Sequence, residues 1–160
     1  MPHKHSHHHH HDIDAAGDAT VKLARELVKI PSITAVNPAD KPASARSIDA
    51  IAEYAAKSGA RVERSEYSGG HHKWDYPVEN VYLEWTFGAD KNSNDNGQPP
   101  KHICYIGHLD VVPVGDEARW TTKPFDGEIK DGYLYGRGVT DMKGSVAAFI
   151  TAVEESMKEL

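Results

Sequence analysis

The sequence contains a single cysteine, Cys104, among 160 residues. One cysteine excludes a disulfide framework within the chain and a zinc site built from cysteine pairs, and it favours a reducing compartment. Because Cys104 lies inside the apolar run 103–106, we predict a buried strand residue rather than a reactive thiol.

Long apolar runs and an excess of basic residues are also missing. No stretch approaches the roughly 18 apolar residues of a membrane span, and the N-terminus lacks the apolar centre of a secretory signal. The net charge of −6 argues against the clustered lysines and arginines of a nucleic-acid surface. We therefore expect a cytoplasmic protein that binds neither nucleic acid nor membrane.

Histidine, in contrast, is concentrated at the start of the chain. Residues 1–11 hold seven of the eleven histidines. We interpret residues 1–12 as a purification tag or a disordered tail and exclude them from the fold. A natural metal-collecting tail is the alternative, which composition alone does not decide.

Two amphipathic helices are predicted in the first part of residues 13–160. The first covers 20–29 and ends before Pro31. The second follows a loop at 37–42 and ends at Gly59, a favourable C-cap. The apolar positions at helical spacing are Val21, Ala24, Leu27 and Val28 in the first helix and Ile48, Ile51, Ala52 and Ala55 in the second.

Strand patterns follow, and a helical pattern closes the chain. Alternating segments at 61–67 and 80–87 predict strands, and a polar loop at 88–101 comes next. Asp131-Gly132 inside 127–135 predicts a hairpin with a type I′ turn, and residues 144–160 predict a helix. This order indicates an α/β fold in which helices flank a mixed central sheet.

The residues with metal chemistry lie in two short segments. The first, 103–110, is predicted to be a buried strand that ends in His108-Leu109-Asp110. Residues two apart in a strand face the same side, so Asp110 is placed to accept the second ring N–H of a metal-bound His108. The structural alternative is common, because His-x-Asp occurs often by chance.

Asp141 lies in the second segment, 136–144, which contains three glycines. Glycine lets the backbone approach other groups closely, so the Asp141 carboxylate is expected to reach a metal held by His108. Histidine and carboxylate suit zinc, with cobalt or manganese also possible. Arg137 and Lys143 are expected to support this turn electrostatically.

These segments, with Trp120, Pro124-Phe125 and Asp131-Gly-Tyr-Leu-Tyr-Gly-Arg-Gly138 between them, resemble the zinc-dependent deacylase and exopeptidase family. That family includes succinyl-diaminopimelate desuccinylase, acetylornithine deacetylase, aminoacylase, and related carboxypeptidases and dipeptidases. The collinear match is densest over 103–153. The resemblance implies that residues 13–160 are the N-terminal part of a three-layer αβα catalytic domain.

The resemblance also implies roles for individual residues. His108 matches a zinc ligand, Asp110 the catalytic acidic partner that orients it, and Asp141 the carboxylate that bridges two zinc ions. The implied reaction is hydrolysis of an amide bond in an N-acyl amino acid, with a glutamate as general base. In many members a smaller inserted domain mediates dimerisation, so a homodimer is expected for the full-length form.

The sequence departs from this pattern in its count of ligands. Two zinc ions need about six metal–ligand bonds, of which His108 supplies one and a bridging Asp141 two. Glu154-Glu155 lies only 13 and 14 residues after Asp141, on a helix face expected to meet solvent, whereas the family's Glu-Glu pair lies a few dozen residues further on. We therefore expect an incomplete site and an inactive fragment.

The substrate class is the least determined feature. Residues 110–120, with Pro124 and Phe125, look most like the succinyl-diaminopimelate desuccinylase branch, although Leu109 stands where that branch commonly has threonine. A desuccinylase of N-succinyl amino acids is therefore the leading interpretation. A dipeptidase or carboxypeptidase of the same family and a non-catalytic metal-binding module are the alternatives.

Overall fold

The structure is a computed structural model that describes residues 19–34, 45–67, 78–87 and 101–159. The histidine-rich start at 1–12 and the predicted loop at 37–42 lie outside the described residues. The same holds for the predicted loop at 88–101, apart from Lys101.

The two predicted amphipathic helices are present. Helix α1 covers Ala19–Val28 and helix α2 covers Ala45–Lys57, and their apolar faces are buried. Helix α2 is followed by Gly59 at a φ of 83°, where the amides of Gly59 and Ala60 donate to the carbonyls of Ala56 and Ala55, each at 3.1 Å. This glycine therefore caps the helix as predicted.

The two predicted strands and the predicted hairpin all lie in antiparallel pairs. Strand β1 (Arg61–Tyr67) pairs with β2 (Val78–Glu84), and β3 (Glu128–Lys130) pairs with β4 (Tyr133–Tyr135). Between β3 and β4, Asp131 and Gly132 have φ values of 51° and 79°. Two successive positive φ values are those of the predicted type I′ turn.

Helix α3 covers Gly144–Glu159 and packs against α1. The core joins the three helices to the end of the His108 segment; its buried members are Leu23, Ala24, Leu27, Ile48, Ile51, Leu109, Val146, Ala147 and Ile150. In the part of the chain that the structure describes, no helix combines the length and apolar character needed to cross a bilayer.

The prediction of a buried strand at 103–110 is wrong for most of its length. Residues 101–108 are exposed, with Ile103 at 90% and Ile106 at 86%, and Cys104 is an exposed free thiol rather than a buried one. Only the end of the segment joins the core, where Val111 forms a parallel bridge with Ile33. The apolar pattern overstated burial because no described strand pairs with residues 103–108 to cover them.

Candidate metal site

His108 and Asp110 lie together at the end of the exposed segment, as their spacing predicts. Leu109 is buried and thereby leaves its two neighbours on the open side. The His108 Nδ1 atom lies 3.1 Å from the backbone oxygen of Asp110 and 3.3 Å from its Oδ1. A protonated Nδ1 would donate to these oxygens, and the lone pair of Nε2 would then be free for a ligand.

Asp110 is held by a residue 76 positions earlier in the chain. The Thr34 hydroxyl donates to Asp110 Oδ2 at 2.6 Å. The Ser32 hydroxyl donates to the backbone oxygen of Leu109 at 2.5 Å, and the amide of Val111 donates to the Ser32 carbonyl at 2.8 Å. Residues 32–34, directly after α1, therefore fix the segment that presents His108.

Asp141 lies in the turn between β4 and α3, as the glycine pattern predicts. Residues Val139–Lys143 form this turn, in which Asp141 has non-helical angles of φ −127° and ψ 93°. The amide of Lys143 donates to the carbonyl of Gly138 at 2.9 Å. The Asp141 carboxylate projects into solvent with 85% of its side chain exposed.

Two glycines allow this turn to pack closely on the rest of the site. A Cβ at Gly136 would overlap Val28 Cγ1, and a Cβ at Gly138, whose φ is 81°, would overlap Val111 Cγ1. Any larger residue would displace the turn from the end of α1 or from the His108 segment.

The two segments meet at their functional atoms. His108 Nε2 lies 3.0 Å from Asp141 Oδ1. Burial acts to lower the pKa of His108, but the hydrogen bond to Asp110 and the charges of Asp110 and Asp141 outweigh it, so the pKa is raised from its ordinary value. The imidazole is therefore in a negative environment that also favours a cation.

An open cleft of about 250 Å³ lies beside these atoms. Its floor is the glycine-rich turn and its wall is the segment after His108; the lining residues are His108, Asp110, Val111, Val112, Gly136, Arg137, Gly138, Val139, Thr140 and Asp141. The Arg137 guanidinium carbon lies 5.0 Å from the centre of the Trp120 ring. The guanidinium group thus contacts Trp120. The predicted electrostatic support of Asp141 by Arg137 stays a prediction.

Unlike Arg137, Lys143 does not line the cleft, because its side chain points into the protein interior. It is fully buried, and its Nζ donates to the carbonyls of Leu27 at 2.8 Å and Ile30 at 2.7 Å. Burial lowers the pKa of Lys143 to about 8, while the charge of Asp110 acts in the opposite direction. The sequence suggested support for the turn, but not this anchor on α1.

The donor atoms fit part of a zinc site. An imidazole nitrogen and a carboxylate oxygen are both good zinc ligands, and two ligand atoms of a tetrahedral zinc lie about 3.3 Å apart. The observed 3.0 Å is close to that separation. Within the described ranges, however, no group of three histidine, cysteine or acidic residues could hold a metal ion.

Glu154 and Glu155 lie away from this cleft. Glu154 is half-buried, and its Oε2 accepts a hydrogen bond from the Tyr54 hydroxyl at 3.0 Å, whereas Glu155 is exposed. The prediction that both side chains face solvent is therefore wrong for Glu154, because the Tyr54 hydroxyl on α2 contacts its carboxylate. Neither glutamate lines the cleft.

Residues 104–160 match the model of peptidase family M20/M25/M40. The predicted family resemblance is confirmed. Among the curated relatives of this chain are succinyl-diaminopimelate desuccinylases from Rhodospirillum centenum, 41% identical, and Caulobacter vibrioides, 37% identical, each over 133 residues. These alignments cover 83% of the chain and 28–29% of the relatives, so the chain spans less than a third of their length.

Solved structures support the fold. The M20 family metallo-carboxypeptidase Sso-CP2 from Sulfolobus solfataricus superposes with a TM-score of 0.66 at 24% identity, over 89% of this chain and 28% of its own. Human carnosine dipeptidase 1 gives a TM-score of 0.68 at 30% identity, over 84% of this chain and 27% of its own. The predicted α/β class is thereby confirmed. Together with the family match, the predicted relationship to metallohydrolases is confirmed as well.

Proposed function

We propose that this chain contributes part of the metal site of a hydrolase that cleaves the amide bond of an N-acyl amino acid. The observation that carries the proposal is the approach of His108 Nε2 to within 3.0 Å of Asp141 Oδ1. Two unlike ligand types converge there from segments 33 residues apart, at the edge of an open cleft. The desuccinylase names of the curated relatives support an N-succinyl amino acid as the substrate.

Each residue has a distinct task in this proposal. His108 offers Nε2 to zinc, Asp110 holds the proton on Nδ1, and Asp141 supplies carboxylate oxygens to one or two ions. Cobalt or manganese could occupy the same donors. When bound, the ions would polarise the amide carbonyl and supply hydroxide from water. The open cleft leaves room for a small acylated amino acid or short peptide beside these donors.

A general base is also required, because the leaving amine must receive a proton. Glu154 is engaged by Tyr54 and Glu155 is exposed, so we do not assign that role to either. For this reason, and because no group of three ligands occurs among the described residues, we propose that the 160-residue chain alone does not turn over substrate.

The test is a substrate panel presented to the natural protein that carries residues 13–160. N-succinyl amino acids should be hydrolysed fastest, ahead of N-acetyl amino acids and dipeptides. Asp141→Asn should lower kcat/KM by at least about 100-fold, since loss of a ligand should exceed the loss of an outer-shell partner, and a chelator should abolish activity. Asp126→Asn, an exposed carboxylate outside the cleft, should retain it.

Two other results would replace the proposal. Preferred hydrolysis of dipeptides or of C-terminal residues would favour a dipeptidase or carboxypeptidase, an alternative supported by the two solved structures. Metal binding with no hydrolysis across the panel would indicate a non-catalytic metal-binding module.

The same proposal includes a cytoplasmic location, which is an expectation from the sequence. It also includes a homodimeric full-length form, which is an expectation from the family.

A further inference from the structure

Lys143 is a fully buried cation that reaches the end of helix α1. Its Nζ donates to the carbonyls of Leu27 and Ile30, at 2.8 and 2.7 Å. These residues precede it by 116 and 113 positions. Carbonyls at a helix C-terminus carry partial negative charge, so they satisfy an ammonium group that burial has removed from water.

The same end of α1 also carries the support for His108. The amide of Ser32 donates to the Ile30 carbonyl at 2.8 Å, and the Ser32 hydroxyl donates to the Leu109 carbonyl. Thr34 donates to the Asp110 carboxylate. The end of α1 and residues 32–34 thus hold the His108 segment, while Lys143 ties the Asp141 turn to the same place.

The Lys143 side chain cannot contact a ligand bound in the cleft. Its side chain has no exposed surface and is absent from the cleft lining, whereas Asp141, two residues earlier, lies in that lining. The Lys143 amide also closes the turn by donating to the Gly138 carbonyl at 2.9 Å. Apart from the attraction between its charge and that of Asp110, any influence of Lys143 on the site therefore passes through the position of Asp141.

We propose that Lys143 is a positioning residue that sets the separation between Asp141 and His108. The end of α1 acts as a common reference, to which one ligand segment is joined through Ser32 and Thr34 and the other through the Lys143 ammonium. This inference rests on the proposed metal site. It predicts that removing the ammonium weakens metal binding beyond any loss of folding stability.

The experiment is a Co²⁺ titration of the full 160-residue chain, followed by visible absorption. Because seven histidines lie in residues 1–11, the signal that remains in His108→Ala is subtracted as tail binding. Lys143→Met, which keeps the stem but removes the donors, should weaken the His108-dependent site by about 10-fold or more. Lys143→Arg, which keeps charge and donors, should recover most of that affinity. Lys22→Met, at an exposed position of α1, should bind as the wild type does.

Folding is measured on the same samples by circular dichroism and urea unfolding. If Lys143→Met does not fold, Lys143→Gln replaces it and should bind more weakly than Lys143→Arg. The inference is overturned if the folded Met or Gln variant binds Co²⁺ with wild-type affinity and spectrum, or if arginine is no better than methionine. If His108→Ala leaves wild-type Co²⁺ binding unchanged, the metal site itself is wrong, and with it the proposed function.

Discussion

At the scale of single residues, the site depends on a relay from Thr34 through Asp110 to His108. Thr34 donates to Asp110 Oδ2, and His108 Nδ1 lies against the Asp110 backbone and side-chain oxygens. An outer carboxylate of this kind fixes the tautomer of a metal-binding histidine and makes Nε2 a better ligand. Asp110 is thus expected to tune the site without binding the ion.

Replacing Asp110 tests this relay. Asp110→Ala should lower the His108-dependent Zn²⁺ affinity by about 10–100-fold, because the imidazole loses its orientation and its negative partner. The affinity is measured by competition with a chromophoric chelator, with Asp126→Ala as the matched control. An affinity equal to that of the wild type would show that Asp110 does not act on His108.

Sequence patterns located the proposed ligands better than their supports. His108 and Asp141 were found because a His-x-Asp spacing and a glycine-rich turn are local features, reinforced by the family resemblance. Thr34 and the α1 anchor of Lys143 were missed because their partners lie 76 and more than 100 residues away. No local pattern encodes such pairings.

At the scale of elements, the glycine-rich turn is fixed by close packing against its neighbours. Gly138 adopts a φ of 81°, and Val111, buried beside it, fills the space that a Cβ would need. Gly59 adopts nearly the same φ, 83°, with no atom within 4 Å of a Cβ position. An alanine at Gly59 would therefore meet backbone strain alone, whereas an alanine at Gly138 would meet backbone strain and steric overlap.

Alanine at these positions should give different losses of stability. Gly59→Ala should cost about 1–2 kcal/mol, the penalty of the left-handed conformation. Gly138→Ala should cost about 1–3 kcal/mol more, because overlap with Val111 adds to that penalty. Urea unfolding of the two variants measures both losses. Equal losses would mean that the turn does not pack on Val111 as described.

The hydrogen bond between Tyr54 on α2 and Glu154 on α3 makes the stability of the fold depend on pH in the alkaline range. Burial, followed by the hydrogen bond and charge of Glu154, raises the pKa of Tyr54 to about 12, above the value of about 10 expected in an unfolded chain. The folded state thus holds this proton more tightly. The associated stability is fully present below about pH 10 and is lost as the pH rises towards 12.

Tyr54→Phe removes the titrating group and should reduce this dependence. Between pH 10 and pH 12 the free energy of unfolding should fall more steeply in the wild type than in Tyr54→Phe. Urea titrations at a series of pH values measure both slopes. Parallel slopes would show that Tyr54 titrates alike in the folded and unfolded chain.

Elements with local signals were predicted well, and the element that depends on neighbours was not. Helix periodicity gave α1, α2 and α3, and the Asp131-Gly132 pair gave the β3–β4 turn. The segment 103–108 has the apolar composition of a buried strand, but burial of a strand requires flanking strands and covering helices. No flanking strand occurs in the described part of the chain.

At the scale of the whole molecule, the described residues form a core at one end of the His108 segment and leave the other end exposed. Leu109 and Val111 pack in the core, whereas Ile103 and Ile106 are almost fully exposed. Exposed apolar side chains on an unpaired segment favour self-association. The site lies at the boundary between these two regions, and the chain spans less than a third of its curated relatives.

The central claim, that His108 and Asp141 share one metal ion, is tested most directly by the imidazole nitrogens. A ¹H–¹⁵N multiple-bond correlation spectrum of the 160-residue chain is recorded before and after saturation with Zn²⁺, and His108→Ala assigns the His108 signals. We predict that the Nε2 resonance of His108 shifts in the wild type and stays in place in Asp141→Asn. A His108 signal that is unmoved while the tail histidines shift, or that moves identically in Asp141→Asn, would contradict the shared site.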